Sequence, residues 1–334
     1  MRFGDIPLDE AEGAVLAHSI RTAGLAFAKG RRLSASDIGA LRERGMARVA
    51  AALLEPGDVP EDAAAARIAA AVADPGLEIA APFTGRVNLF AKARGLCVVD
   101  VEKLDRLNLI DEALTVATLP AFTPVEPRQM VATVKVIPFA APEAAVAAAE
   151  AVGRLVSVAA FRPIRAALVQ TRLPGTKDSV LDKTVTATRA RLEALGGSLA
   201  SETRGPHEPG AVAELVAQAV AEGSDMVLVA GASAITDRRD VLPAGIEAAG
   251  GTVEHFGMPV APGNLLLLAR HGAVPVLGLP GCARSPKLNG FDWVLQRIAA
   301  GLTVTRADIM RMGAGGLLAE IATRPLPRGT PAPA

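Results

Sequence analysis

Between about residues 160 and 305, short apolar runs alternate with segments of helical pattern, and this alternation constrains the fold more than any other feature of the 334-residue chain. The runs IRAALVQT (164–171) and DMVLVAG (225–231) are apolar almost throughout, as strands buried on both faces are. Residues 179–196, 210–222 and 239–249 read as helices, with Gly196-Gly197 and Gly250-Gly251 ending two of them. TVEHF (252–256) reads as a strand, NLLLLAR and VPVLGLP are close enough to form a hairpin, and 285–301 reads as a final helix. Strands alternating with helices of this length imply a three-layer α/β fold, a mostly parallel sheet covered on both faces.

The preceding region has a different pattern. Ser34 and Asp37 have capping-box spacing at the head of a helix that Gly45 would close, and Val49 begins a short strand. A second helix is expected from Pro60-Glu61-Asp62 to just before Pro75-Gly76. RVNLF, GLCVVDV, LTVATL and MVATVKVIPF then read as strands, with a helix between Glu102 and Glu112. The Ala-rich stretch 142–160 reads as one amphipathic helix bridging into the α/β part. The expected organisation is an α+β segment (1–76), a β-rich segment (77–141), an α/β domain (142–315) and a Pro-rich, extended tail (316–334).

Composition narrows the function classes. Lys plus Arg and Asp plus Glu both number 35, so the formal net charge is zero, which counts against a broad nucleic-acid surface. The chain has no Tyr and a single tryptophan, Trp293, so aromatic base-stacking platforms are not expected. Cys97 and Cys282 form neither a zinc spacing nor a disulfide framework. The opening MRFGDIPLDEAEG lacks a signal-peptide pattern, and the apolar runs are broken before membrane-spanning length. The expectation is a reduced, cytoplasmic protein that binds neither nucleic acid nor membrane.

Ligands of an open α/β sheet bind beyond the carboxyl ends of its strands. Three loops are expected there. The first runs Gly231-Ala232-Ser233-Ala234-Ile235-Thr236-Asp237-Arg238-Arg239-Asp240. Its small residues would let backbone N–H groups approach an oxyanion, and Ser233 and Thr236 add hydroxyls. Asp237 and Asp240 could hold Mg²⁺ or steer a nucleophile; the same spacing suits an Asp that caps the next helix and pairs with a neighbouring Arg. In the second loop, Leu279 to Lys287, Ser285 would cap a helix with Pro286 at its first position. Arg284 and Lys287 would add positive charge to a phosphate site there, or be solvated charges beside an ordinary cap. Cys282 reads as a small core-like residue, and the third loop, Val260 to Asn264, is a turn by composition. His207, His255 and His271 are assigned to no metal.

Taken in order, these loops resemble a family. Residues 164–301 are similar to the molybdopterin-binding domain shared by molybdopterin molybdotransferases, gephyrin-like proteins and molybdopterin adenylyltransferases. The family's Gly-Gly loop with a Ser and a downstream Asp is matched by Gly231, Ala232, Ser233 and Asp240. Its Pro-Gly turn is matched by Pro262-Gly263, and its Leu-Pro-Gly loop with a following Ser by Leu279-Pro280-Gly281 and Ser285. AKGRRLSASDIGALRERGMARV resembles the start of the molybdotransferases more loosely.

The departures are specific. Ala232 replaces the second Gly, and the loop to Asp240 is one residue longer. Thr171-Arg172-Leu173 lacks the acids of the family's Thr-Gly-Asp-Glu. Ala261 and Asn264 stand where lysines flank the Pro-Gly, and Cys282-Ala283 stands for Asn-Pro. The resemblance, as it runs along this sequence, is expected to leave no room for the usual C-terminal β domain of the molybdotransferases. A variant with this altered loop, often joined to a molybdenum-cofactor cytidylyltransferase-like domain, is the better match.

The resemblance implies binding of molybdopterin or adenylylated molybdopterin in molybdenum cofactor biosynthesis. Gly231, Ala232, Ser233, Thr236, Pro262, Gly263, Asn264, Gly281, Cys282, Arg284 and Ser285 would hold the ligand. Asp240 and Asp237 would act in any molybdate insertion, with Asp240 on Mg²⁺. A non-catalytic carrier for a cytidylyltransferase or molybdoenzyme is the alternative, and a metal-dependent nucleotide pyrophosphatase on the same fold is a third reading. A homo-oligomer is expected.

Overall fold

In the computed structural model, residues 1–22 and 24–318 are described, so most of the Pro-rich tail expected at 316–334 lies outside the described residues. The chain divides into two compact units, Met1–Ala160 and Phe161–Ala334.

In the first unit, Arg48–Leu53 pairs antiparallel with both Arg2–Pro7 and Val15–Leu16. The helix Ala35–Arg42 opens with the expected capping box: Ser34 Oγ accepts the Asp37 N–H, and Asp37 Oδ2 accepts the Ser34 N–H. These elements enclose Leu16, Phe27, Leu33 and Leu41. The rest of the unit holds an antiparallel sheet of Leu114–Thr118, Met130–Val136, Arg86–Ala91 and Leu77–Ile79, in that order. Helices Glu61–Val72 and Glu143–Val152 contribute small buried residues such as Ala65, Ala69 and Ala149 to its core. Arg67 forks between Glu143 and Glu150, with contacts of 2.7–3.0 Å.

One expectation is corrected here. Residues 142–160 are not a single bridging helix: the helix ends at Val152, before Gly153 with φ of 70°. Val156–Ala160 is a strand paired with Gly95–Val99, so this stretch belongs to the first unit rather than to the α/β part. The β-branched Val156 and Val158 suit that strand.

The second unit contains β1 (Arg165–Arg172), α1 (Asp178–Glu193), β2 (Ser198–Pro206), α2 (Pro209–Ala221), β3 (Met226–Ala230), α3 (Val241–Ala248), β4 (Thr252–Phe256), β5 (Leu267–His271), β6 (Val274–Gly278), α4 (Gly290–Ala299) and α5 (Arg306–Met310). Its six-stranded sheet has the order β2-β1-β3-β6-β5-β4. The pairings β1–β2, β1–β3 and β3–β6 are parallel, whereas β5 runs antiparallel to β6 and β4. The sheet is therefore mixed, with the expected hairpin as its antiparallel part.

Alternation along the strands sends side chains into two separate cores. Leu168, Leu228 and Leu277 join Leu192 of α1 and Phe291, Val294 and Leu295 of α4. Val169, Val229 and Val276 join Val212 and Val216 of α2 and Leu242 and Ile246 of α3. Burial on both faces explains why these strands read as unbroken apolar runs. The missed strand, β2, is an edge strand of mixed polarity, SLASETRGP, with only Gly205 fully buried. From β1 the chain first goes through α1 to β2 on one side, and later enters β3 on the other. That reversal opens a crevice beyond the ends of β1 and β3.

Candidate functional site

The loop that follows β3 and the loop that follows β6 face each other across a cavity of about 110 Å³, room for several water-sized groups. Its walls are Ala230 to Ala234, Leu279 to Gly281, Arg284, and Thr184 from α1. Among the described residues no carboxylate lines it.

Each wall has an identifiable cause. Gly231 is buried, and a Cβ there would lie 2.8 Å from the Ser233 carbonyl oxygen and 3.0 Å from Leu242 Cδ1, so the tight turn requires glycine. The next N–H, of Ala232, donates to Thr171 Oγ1 at 2.9 Å. Thr171 is fully buried at the end of β1, and its hydroxyl also lies 2.8 Å from His207 Nδ1. The N–H groups of Ser233 and Ala234 donate to no group among the described residues. Arg284 crosses the cavity mouth, where its Nη2 donates to the Gly231 carbonyl at 2.6 Å. A Cβ at Gly281 would meet nothing within 4 Å, so that side of the loop is open.

The second loop corrects the expectation for its helix. Ser285 and Pro286 do not start one. Gly281–Arg284 is a short 3₁₀ turn, and α4 begins only at Gly290, capped by Asn289 with Asp292 closing the box. Asn289 and Asp292 outcompete Ser285 because they satisfy two terminal N–H groups reciprocally, as Ser285 with Leu288 cannot. The helix end expected beside Arg284 is thus displaced by four residues. The Ser285 hydroxyl instead accepts the Lys287 N–H at 3.3 Å.

The two candidate acids are engaged. Asp240 caps α3: Oδ1 accepts the Val241 N–H at 2.7 Å, and Oδ2 accepts the Thr236 N–H and hydroxyl at 3.0 and 3.2 Å. The Thr236 backbone bond, with those from Val241 and the Thr236 hydroxyl and the nearby His207, holds this carboxyl below its usual range against partial burial. Asp237 accepts from both the backbone N–H and Nε of Arg239 at 2.9 Å, and that side-chain bond lowers its pKa. Among the described residues no group of three or more His, Cys, Asp or Glu could hold a metal ion.

Gly231, Ala232, Ser233, Gly281 and Arg284 are therefore brought together at the cavity, while Thr236, Asp237 and Asp240 build the entry to α3. Cys282 lies on the 3₁₀ turn, and neither it nor Ser285 lines the cavity. Pro262, Gly263 and Asn264 also lie outside it. The Pro262 carbonyl accepts the Gly290 N–H, Gly263 packs against Gly290, and Asn264 Nδ2 donates to the Met258 carbonyl at 3.3 Å. Thr171, Thr184 and Arg191 were not legible as site residues. Each sits inside a strand or helix pattern; the loop partners of Thr171 and Arg191 lie 61 or more residues away, and Thr184 reaches the cavity only through packing.

Residues 5–52 match a family described as a domain of unknown function (DUF8806). No curated protein matches the chain. Among solved structures, the molybdopterin biosynthesis protein MoeA from Pyrococcus horikosii is 14% identical with a TM-score of 0.32, over 90% of this chain and 75% of that one. A candidate molybdenum cofactor biosynthesis protein from Corynebacterium diphtheriae is 17% identical with a TM-score of 0.29, over 43% of this chain and 100% of that one. At these scores the likenesses carry no argument, and the reading of the site rests on its own geometry and motifs.

Proposed function

We propose that the second unit is a three-layer α/β domain that binds molybdopterin or its nucleotide adduct, in molybdenum cofactor biosynthesis, through the ligand's phosphate. The observation that carries the reading is the cavity, lined by no carboxylate among the described residues, between the two loops whose motifs resemble the molybdopterin-binding family. The unengaged N–H groups of Ser233 and Ala234 and the guanidinium of Arg284 are donors suited to a phosphate. The cavity fits a phosphate-sized group, and the pterin would lie beyond it.

A role without chemistry is favoured over molybdotransfer. Asp240 already accepts three hydrogen bonds through both of its oxygens, Asp237 accepts two from Arg239 through Oδ1, and neither residue lines the cavity. The test is a titration of the full chain with molybdopterin and adenylylated molybdopterin, with and without Mg²⁺ and molybdate, following binding and released nucleotide. Binding without release is expected. Release on adding molybdate would make the chain a molybdotransferase, and absence of binding would remove the proposal.

A further inference from the structure

The cavity wall that carries Arg284 has almost no regular structure of its own: a single 3₁₀ turn is followed by residues 285–289 in neither helix nor strand. Its carbonyls are instead gathered by Arg191, in the last turn of α1. Nε of Arg191 donates to Asp292 Oδ1 at 2.5 Å. Nη1 reaches the carbonyls of Ala283 at 2.8 Å and Ala187 at 3.4 Å. Nη2 reaches those of Ser285 at 2.6 Å and Lys287 at 3.2 Å. Five N–H donors thus meet five acceptors, the full capacity of a guanidinium. The side chain is only 9% exposed. Ala283 and Ser285 are the residues on either side of Arg284, so one buried fork fixes the backbone before and after the cation at the cavity mouth.

We infer that Arg191 is a positioning residue for the ligand site: it aims Arg284 by clamping the carbonyls of the residues before and after it, without itself reaching the cavity. The inference rests on the ligand reading above. Lysine cannot replace it, because three donors on one nitrogen cannot span acceptors distributed along a loop.

The test compares wild type, Arg191→Ala, Arg191→Lys and Arg67→Ala in the full chain, titrated with molybdopterin. Arg67 is a control, an equally forked arginine in the first unit. Arg191→Ala and Arg191→Lys are expected to weaken binding about tenfold or more, the loss of one charged hydrogen bond's worth of alignment, and Arg67→Ala to leave it within about twofold. Millimolar guanidinium is expected to restore binding to Arg191→Ala and methylammonium is not. Wild-type affinity in folded Arg191→Ala, or no response to guanidinium, would overturn the inference. If wild type itself binds nothing, the ligand reading falls, and amide exchange decides the clamp alone. Protection of the Ala283, Ser285 and Lys287 amides should then be lost in Arg191→Ala and recovered with guanidinium; unchanged protection overturns it.

Discussion

The hydroxyl of Thr171 accepts the N–H of Ala232 at 2.9 Å, joining the end of β1 to the cavity loop after β3 across 61 residues of sequence. Thr171 is fully buried and Ala232 half-buried, so removing the acceptor takes away the one protein partner of that amide among the described residues. Thr171→Val should cost about 0.5–1.5 kcal/mol in chemical denaturation, the net worth of one hydrogen bond, and Thr171→Ser much less. Molybdopterin affinity should fall in the Val variant and not in the Ser variant; equal affinity in all three would show that the loop holds its shape without this bond.

Asp292 has two duties in one carboxylate. Oδ1 takes Nε of Arg191 and Oδ2 takes the Asn289 N–H at 2.8 Å, so the clamp and the α4 cap share an anchor. With 9% and 11% exposure the pair is nearly dry. Asp292→Ala strands a buried guanidinium and should destabilise the chain by about 3–5 kcal/mol. Urea unfolding followed by the fluorescence of Trp293, the sole tryptophan, measures it; a loss below about 1 kcal/mol would place this pair with exposed ones.

Asp240 gives a pH signature. Its folded-state pKa is depressed, so its contribution to stability is complete above the ordinary carboxylate range near ~3.9 and disappears as pH falls through the lower folded value. Asp240→Asn should preserve the cap at neutral pH and flatten that acid limb, whereas Asp240→Ala should cost about 1 kcal/mol at all pH values above it. Neither should change molybdopterin affinity. A large loss of affinity in Asp240→Asn would return this residue to the ligand.

Much of this architecture is written in local pattern. The Ser34–Asp37 box, the buried runs of β1 and β3 and the β5–β6 hairpin all depend on near neighbours or on side-chain periodicity, which a sequence displays. The start of α4 lies four residues beyond Ser285-Pro286 because Asn289 and Asp292 satisfy two terminal N–H groups reciprocally, a box that Ser285 with Leu288 cannot make. β2 was missed because an edge strand has no continuous apolar run to betray it. At the site, Gly231 lies where a Cβ would come within 2.8 Å of the Ser233 carbonyl oxygen, whereas Gly281 has open space beside it. Whether Asp240 faced a ligand or its own helix depended on one torsional choice that spacing does not encode.

Arg284 offers a direct test of charge at the cavity. Arg284→Met removes both its positive charge and its bond to the Gly231 carbonyl while keeping an apolar stem. Affinity for molybdopterin should drop by about tenfold or more, in keeping with a charged hydrogen bond. The remaining binding should be less sensitive to salt than that of wild type. Titrations at two ionic strengths separate this outcome from a general loss of fold, which thermal melting monitors.

The bond between Arg284 and the Gly231 carbonyl spans 53 residues, and those from Arg191 to the second loop span more than 90. No contiguous fragment of the sheet carries the cavity, since its walls come from α1, from β3 and its loop, and from the loop after β6. The receptor for the ligand comes into being only when the last strand and helix have joined the first. A molecule that settles there consequently selects completed chains over partly assembled ones, and its binding energy is spread over the whole unit as resistance to unfolding.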